Sequence, residues 1–452
     1  MFLPPDRYWR RKDKLRKEKI SVEYWDPITE KTPLNELKAQ QQKSLRSVLS
    51  FVYTCSEFHR KRFKDAGIEP DDIKSLDDLG KLPFMVKKNF RDTYPTGMFC
   101  VPRNQVVRYH ASSGTTGKPT LVGYTRNDIT QWSTSLARGM TSIGVSRGDI
   151  IQNSYGYGLF TGGLGFHYAG EMIGAVVVPV GSGATERQIE FIKDLETTVI
   201  TCTPSYFLHI SEVARDMGVD LGKTKLRAGL FGAEPWSEDM KKRIQDIGVK
   251  AYNVYGTSEL SGPLFTECIA QNGMHVWTDQ FLLETVDPKT GETLGPGEIG
   301  ELVVTTLAKE ALPLVRYRTG DLTIVDEEVC ECGRAHPRIM RIQGRVDDML
   351  IIRGINVFPS QVESVLMRIP ELGENYQLVV DRVHELDAMT VKVETTRRLS
   401  QYKPEELLAL KKKVTHMLRT VLNITVDLEI LDPKTIDRSM GKAKRVIDNR
   451  EG

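Results

Sequence analysis

Cysteine, net charge and long apolar runs are all scarce in this chain, and each scarcity excludes something. The six cysteines (Cys55, Cys100, Cys202, Cys268, Cys330 and Cys332) among 452 residues are too few and too scattered for a disulfide framework. They leave metal binding as the question worth asking of them. Lysine and arginine (62) balance aspartate and glutamate (60) to a formal charge of +2, which lacks the electrostatic footprint of a nucleic-acid binder. No apolar run approaches the ~18 residues needed to span a bilayer, so no membrane partner is expected. The opening Met1-Phe2-Leu3-Pro4-Pro5 leads into basic residues without the apolar centre of a secretory signal. A cytoplasmic location is expected.

What is present is ordinary globular material, 40% hydrophobic and 27% charged, in a chain long enough for two or three domains. The basic run Trp9 to Lys19 reads as a solvated helix or a mobile arm. Thr32-Pro33 reads as a helix start, followed by Leu34, Leu37, Leu45, Val48, Leu49 and Val52 at helical spacing. From about residue 105, short apolar runs (150–153, 175–178, 198–200) alternate with helical stretches (185–196, 237–247). That alternation predicts an α/β fold with a largely parallel sheet. Residues 281–326 read instead as strands joined by turns, a small β unit. Ser360-Gln361-Val362-Glu363 reads as a capping box opening a helix. Strands near 376–381, 389–394 and 424–431 and a helix near 403–420 complete a compact α/β module. Two domains are therefore expected, 1–345 and 346–452.

The strongest local signal is Tyr109-His110-Ala111-Ser112-Ser113-Gly114-Thr115-Thr116-Gly117-Lys118-Pro119. Its hydroxyls, glycines and single lysine suit a polyphosphate. It is not a P-loop, because only two residues separate Gly114 from Gly117 and a proline follows the lysine. Composition alone leaves a flexible turn open. Other segments keep it company: Tyr255-Gly256-Thr257-Ser258-Glu259 after a strand-like run, Arg318-Thr319-Gly320-Asp321, Gly344-Arg345-Val346-Asp347-Asp348, Arg353-Gly354-Ile355-Asn356, and Ser439-Met440-Gly441-Lys442-Ala443-Lys444.

In this order, from about residue 105 to 446, these segments resemble the adenylate-forming superfamily of acyl-CoA synthetases, adenylation domains and luciferases. Within it, Glu23-Tyr24-Trp25-Asp26-Pro27, Lys81-Leu82-Pro83-Phe84, Gly232-Ala233-Glu234-Pro235 and the run Leu312 to Asp321 resemble the phenylacetate–CoA ligase branch. The resemblance implies a large ATP- and acyl-binding domain with a smaller mobile one. It implies two steps: a carboxylate attacks the α-phosphorus of ATP, and the thiol of CoA then displaces AMP. The first step calls for positioning and charge neutralisation rather than a general base.

By the same resemblance, Ser112, Ser113, Gly114, Thr115, Thr116, Gly117 and Lys118 hold the β- and γ-phosphates. Thr257 contacts the α-phosphate and Glu259 ligates Mg²⁺, a hard ion suited to carboxylate and phosphate oxygens. Asp321 takes the ribose hydroxyls, with Arg345 near the ribose or phosphate. Gly232, Ala233, Glu234 and Pro235 lie along the adenine; Tyr255 stacks on it and Gly256 adjoins it. Lys442 stabilises charge developing on the acyl-phosphate. The segment departs from its relatives in having Asp437 before Arg438-Ser439, where they often carry proline. Asp347 is the hinge, and the Gly354 loop faces the site when CoA enters.

Cys268, His275, Cys330 and Cys332 present three thiols and an imidazole for a structural Zn²⁺, although the C-x-C spacing is tighter than usual. His336 is a reserve ligand. The run Tyr155 to Gly163 combines aromatics with glycine, and Tyr155, Tyr157 and Phe160 are expected to face a flat aromatic acid. Phenylacetate is the first expectation, with indoleacetate and benzoate-type acids beside it. Loading of a carrier protein and a non-catalytic nucleotide-binding role are the rival classes. The family also suggests a homodimer through the N-terminal helices.

Overall fold

The computed structural model describes residues 22–112, 119–346, 350–352, 355–383, 386–437 and 445–450. Helices α1 (Leu34–Cys55) and α2 (Glu57–Asp65) lead into the main body. The anticipated cap at Thr32 does not form. Pro33 occupies the N-cap without a side-chain bond, and the Thr32 hydroxyl instead donates to the Ile28 carbonyl at 2.9 Å. Strands β1 (Arg108–Ser112) and β2 (Thr120–Tyr124) form an antiparallel hairpin in register from Arg108 opposite Tyr124 to Ser112 opposite Thr120. The Ser/Thr/Gly segment begins at Ser112, the last residue of β1. Residues 113–118 of it lie outside the described residues.

The α/β core follows. Strands β3 (Ile150–Asn153), β4 (Val176–Val178), β5 (Val199–Cys202), β6 (Ala228–Gly232) and β7 (Lys250–Thr257) lie parallel in the spatial order β4-β3-β5-β6-β7. Helix α3 (Arg126–Ser142) precedes them, and α4 (Gly162–Ile173), α5 (Thr185–Asp194), α6 (Pro204–Asp216) and α7 (Glu238–Asp246) make the crossovers. Helix α3 starts at a reciprocal cap. The Thr125 hydroxyl accepts from the Asp128 N–H at 3.1 Å, while the Asp128 carboxylate accepts from the Thr125 N–H at 2.9 Å. Helix α4 packs closely on α3 because Gly165 has no side chain; a Cβ there would stand 2.5 Å from the Trp132 ring.

The sheet continues with antiparallel strands β8 (Gly262–Glu267), β9 (Met274–His275), β10 (Phe281–Val286), β11 (Ile299–Thr306), β12 (Tyr317–Asp326), β13 (Arg338–Ile339) and β14 (Gly344–Arg345). The expected β unit at 281–326 is therefore not separate. It joins the parallel strands through β12-β13-β9-β8-β7. Strand β12 alternates strictly between buried and half-buried residues, which puts Asp321 on the inward face.

Beyond β14, a hairpin of β15 (Leu350–Ile352) and β16 (Ile355–Val357) leads to α8 (Pro359–Leu366). A four-stranded sheet follows, ordered β19-β18-β17-β20: β17 (Leu372–Val383), β18 (Leu386–Thr395), β19 (Asp427–Leu431) and β20 (Val446–Asp448), with α9 (Pro404–Leu422) against it. The capping box expected at Ser360 to Glu363 is displaced. Phe358 is the N-cap, Pro359 is the first helical residue, and Gln361 accepts the Phe358 N–H at 2.9 Å. Ser360 and Glu363 are left for other partners. Ser360 donates to the Gln343 carbonyl at 2.7 Å, and Glu363 accepts the Ser237 N–H at 2.7 Å.

Candidate active site

Ligands of open α/β sheets settle at the carboxyl ends of the parallel strands, near the point where strand order reverses. Here β4 and β5 lie on opposite sides of β3, so the reversal is at β3/β5. A cavity of about 520 Å³ opens there. Its walls include Ser154, Tyr155 and Gly156 after β3, Thr203 after β5, Ala233 to Trp236 after β6, and Tyr255 to Glu259 at the end of β7. Asp321 and Arg345 close one side, and Ser112 approaches from the β1 hairpin.

Several local devices shape these walls. Ala233 turns the chain with a positive φ of 70°. The Tyr155 hydroxyl donates to the Cys202 carbonyl at 2.7 Å and accepts the Gly232 N–H at 3.0 Å, tying the ends of β3, β5 and β6 together. Glu234 accepts the Ser205 N–H at 2.8 Å. Gly256 lies so close to the Gly262 carbonyl that any Cβ would collide with it.

The polar side is preorganised. The Tyr255 hydroxyl donates to one oxygen of Asp321 at 2.6 Å, and the Arg345 guanidinium donates to the other at 2.8 Å. Burial and the Asp321 charge push the Tyr255 hydroxyl well above the ordinary tyrosine range. Glu259 is buried at the cavity wall, and burial together with the Glu259 charge pushes the Tyr317 hydroxyl well above the ordinary tyrosine range. Beneath it, the Lys309 ammonium donates to the Glu259 carbonyl at 2.7 Å, and the Tyr124 hydroxyl donates to the Ser258 carbonyl at 3.2 Å. The loop is held from two sides.

Of the residues singled out from the sequence, Ser112, Ala233, Glu234, Pro235, Tyr255, Gly256, Thr257, Glu259, Asp321 and Arg345 line one cavity, together with Tyr155 and Phe160. Gly232 stands just behind it, packed on Val254. Tyr157 does not line the cavity. Its hydroxyl accepts from Asn153 Nδ2 at 2.7 Å and meets His167 Nδ1 at 3.1 Å. Ser113 to Lys118, Asp347, Gly354 and Lys442 lie outside the described residues. Sequence reasoning missed Trp236, Asn253, Tyr206 and Arg341 in the lining, because they belong to none of the motifs and come from loops, a strand and a helix that only the fold brings together. It also missed Lys309, which lies in none of the motif segments that the sequence singled out.

A second cluster lies apart from the cavity. Single donor atoms of Cys268, His275, Cys330 and Cys332 all fall within 4.8 Å of one another, and all four residues are buried. Cys268 Sγ and Cys330 Sγ are 3.7 Å apart, and Cys332 Sγ and His275 Nε2 are 3.4 Å apart. Zinc bonds of ~2.3 Å to sulfur and ~2.0 Å to nitrogen give tetrahedral edges of roughly 3.8 and 3.5 Å, so the donor set fits that ion. His275 Nδ1 faces the His336 carbonyl at 3.3 Å, which puts the proton on Nδ1 and turns the Nε2 lone pair to the cluster. His336 is not a reserve ligand. Its Nδ1 accepts the Thr278 N–H at 3.2 Å, and its Nε2 faces the Thr29 carbonyl at 3.0 Å.

The N-terminal segment wraps this cluster. The Tyr24 hydroxyl donates to the Cys332 carbonyl at 2.7 Å. Arg334 pairs with Glu30 at 2.6 Å, both fully buried, and donates to the Glu23 carbonyl at 2.6 Å.

The AMP-binding enzyme family model matches residues 28–307, and the model of the AMP-binding enzyme C-terminal domain matches 354–450. The chain is 44% identical over 443 residues to the phenylacetate-coenzyme A ligase of Thermus thermophilus, covering 94% of this chain and 100% of that one. It is 46% identical to the ligase of the same name from Aromatoleum evansii, covering 94% and 97%. Among solved structures, 2-hydroxyisobutyryl-CoA ligase with 2-HIB-AMP in the postadenylation state superposes with a TM-score of 0.90, at 29% identity over 95% of this chain and 93% of that one. The same ligase with 2-HIB-AMP and CoA in the thioesterification state gives 0.71, at 30% identity and the same coverage. Among the described residues, no helix is long and apolar enough to cross a membrane.

Proposed function

The chain belongs to the AMP-binding enzyme family, in its phenylacetate–coenzyme A ligase branch, and from that premise we propose that phenylacetate or a close aryl acid is its substrate. The general chemistry is that of an AMP-forming acid–thiol ligase, ATP-dependent activation of an acid followed by transfer to CoA.

The observation that carries the site reading is the Tyr255–Asp321–Arg345 arrangement facing Glu259 across one cavity. Asp321, oriented by two donors, is the acceptor for the ribose hydroxyls. Ala233 to Pro235 and the Tyr255 ring border the adenine. Thr257 meets the α-phosphate, and Glu259 would hold Mg²⁺, which would neutralise charge on the departing pyrophosphate. Ser112 to Lys118 take the β- and γ-phosphates. An acid held against Tyr155 and Phe160 directs its carboxylate to the α-phosphorus. One P–O bond forms, another breaks, and pyrophosphate leaves. Lys442 stabilises charge on the reacting phosphoryl group. In the second step the CoA sulfur bonds to the acyl carbon, AMP leaves, and the thiol proton passes to solvent.

Two steps at one site call for two placements of the unit at 346–452, turning at Asp347, with the Gly354 loop meeting CoA. The difference in TM-score between two states of one relative, 0.90 for the postadenylation state and 0.71 for the thioesterification state, supports this reading. Zn²⁺ held by Cys268, His275, Cys330 and Cys332 would be structural, since the cluster does not line the cavity. A homodimer and a cytoplasmic setting, with reduced thiols, complete the reading.

The test is acid-dependent AMP release with ATP, Mg²⁺ and CoA across aryl and alkyl acids. Phenylacetyl-CoA formed at the highest kcat/KM supports the proposal; a clear preference for an alkyl acid overturns it.

A further inference from the structure

Glu363 sits where the two units meet. It is 3% exposed, on α8 of the small unit, and its carboxylate is shared between units. One oxygen accepts the N–H of Ser237 from the large unit at 2.7 Å. The other accepts the hydroxyl of Tyr376 from the small unit at 3.1 Å. Ser237 directly follows the cavity wall Ala233 to Trp236. Tyr376 in turn carries Arg445, whose guanidinium lies 4.3 Å from the ring centre and donates to the Tyr376 carbonyl at 3.3 Å. The Arg445 carbonyl accepts the Leu378 N–H at 2.7 Å, which registers the chain against β17 just before β20. Lys442 stands three residues before Arg445.

One line of contacts therefore runs from the nucleotide wall to the base of the lysine segment, through Ser237, Glu363, Tyr376 and Arg445. A helix face needs no carboxylate at a buried contact. Desolvation there raises the Glu363 carboxyl above its usual range, and the Arg445 charge pulls it back. Such a group carries a cost that an apolar residue would not. It also makes directional bonds that an apolar residue cannot, and these fix one placement of the small unit against the wall.

We propose that Glu363 is a positioning residue for the adenylation step: by joining Ser237 to Tyr376 and Arg445, it fixes the small unit against the nucleotide wall. The inference rests on the reading that Lys442 serves the first half-reaction and that the small unit turns away for the second. The Ser237 contact belongs to the present placement, so its loss weighs on adenylation and spares thiolysis.

The experiment separates the half-reactions in the full-length enzyme. Phenylacetate-dependent ATP–pyrophosphate exchange reports the first, and CoA thiolysis of preformed phenylacetyl-adenylate reports the second. Glu363→Ala is expected to lower exchange at least tenfold while thiolysis stays within threefold, and Glu363→Gln to recover part of the loss. Tyr376→Phe keeps the ring under Arg445 and removes one hydroxyl; it is expected to lower exchange about three- to tenfold with thiolysis unchanged, and it keeps the test open should the alanine variant fail to fold. Parallel loss of both half-reactions in Tyr376→Phe, or loss of neither, overturns the proposal. Lys442→Ala is the control for the underlying reading: if it leaves exchange intact, the lysine assignment fails whatever Glu363 does.

Discussion

Asp321 divides its two carboxylate oxygens between Tyr255, at 2.6 Å, and Arg345, at 2.8 Å, so its orientation is fixed before any nucleotide arrives. A preset acceptor spends no free energy on reorganisation when the ribose binds. Asp321→Ala removes that acceptor and leaves Arg345 without its carboxylate. Hydrogen bonds to charged groups contribute about 1.5–3 kcal/mol, so KM for ATP should rise roughly 10- to 100-fold. Tyr255→Phe, which keeps the ring and the Asp321–Arg345 pair, should raise it less. An unchanged KM for ATP in Asp321→Ala would remove Asp321 from the nucleotide site.

The four-residue donor cluster predicts one zinc per chain, measurable by elemental analysis of protein purified without added metal. Because Tyr24, Glu30 and Arg334 enclose the Cys332 loop, losing the metal should loosen the N-terminal segment first. A strong chelator, or Cys268→Ser, is expected to lower the melting temperature and expose residues 22–31 to protease. Nucleotide exchange by the fraction still folded should be little changed. Metal-free protein with the same melting temperature and the same protease resistance would make the cluster a set of packed thiols.

The parallel core was legible because buried parallel strands read as apolar runs between helical stretches, as Val199 to Cys202 does. The nucleotide side was legible because its residues sit in contiguous segments, Tyr255 to Glu259 above all. What escaped depends on which partner takes each polar side chain, whether four residues away or more than a hundred. Thr32 looks like a cap until Ile28 takes its hydroxyl, and Glu363 looks like the end of a capping box until Ser237 takes its carboxylate. Tyr157 follows the same logic: its neighbours share the cavity, but Asn153 and His167 hold its hydroxyl elsewhere. Local pattern names an element, and the hydrogen-bond partner that the folded chain supplies decides what a given side chain does within it.

His59 supplies a pH prediction. Desolvation, with the neighbouring Arg62 charge, lowers its pKa from 6.5 to about 3, so the folded chain keeps it neutral. Between pH 6.5 and 3 the unfolded chain binds a proton that the folded chain refuses. Stability from this residue is therefore lost as pH falls through that window, by up to about 1.4 kcal/mol per unit. Denaturant melts at pH 6.5 and 4.5 should show a smaller loss for His59→Gln than for the parent, by ~1 kcal/mol or more. An equal loss in both would mean that His59 already accepts a proton in the folded state.

Lys309 and Glu259 give the sharpest coupling test. The ammonium donates to the Glu259 carbonyl at 2.7 Å and lies 5.2 Å from the centre of the Tyr124 ring. Burial lowers its pKa to about 8, and the charges of Asp128 and Glu259 act against that shift. Lys309→Met removes the ammonium charge and leaves the Glu259 carbonyl without its donor, which should cost about 1–3 kcal/mol of stability. Glu259→Gln, by removing the proposed Mg²⁺ ligand, should raise the Mg²⁺ concentration needed for half-maximal exchange more than tenfold. It also removes one of the charges that Lys309 balances. The double variant should then be more stable than the sum of the single losses implies, by about 1 kcal/mol or more, as expected of contacting groups. Additive losses would mean that Lys309 supports the loop only through the Glu259 backbone, and that the carboxylate faces the cavity on its own account.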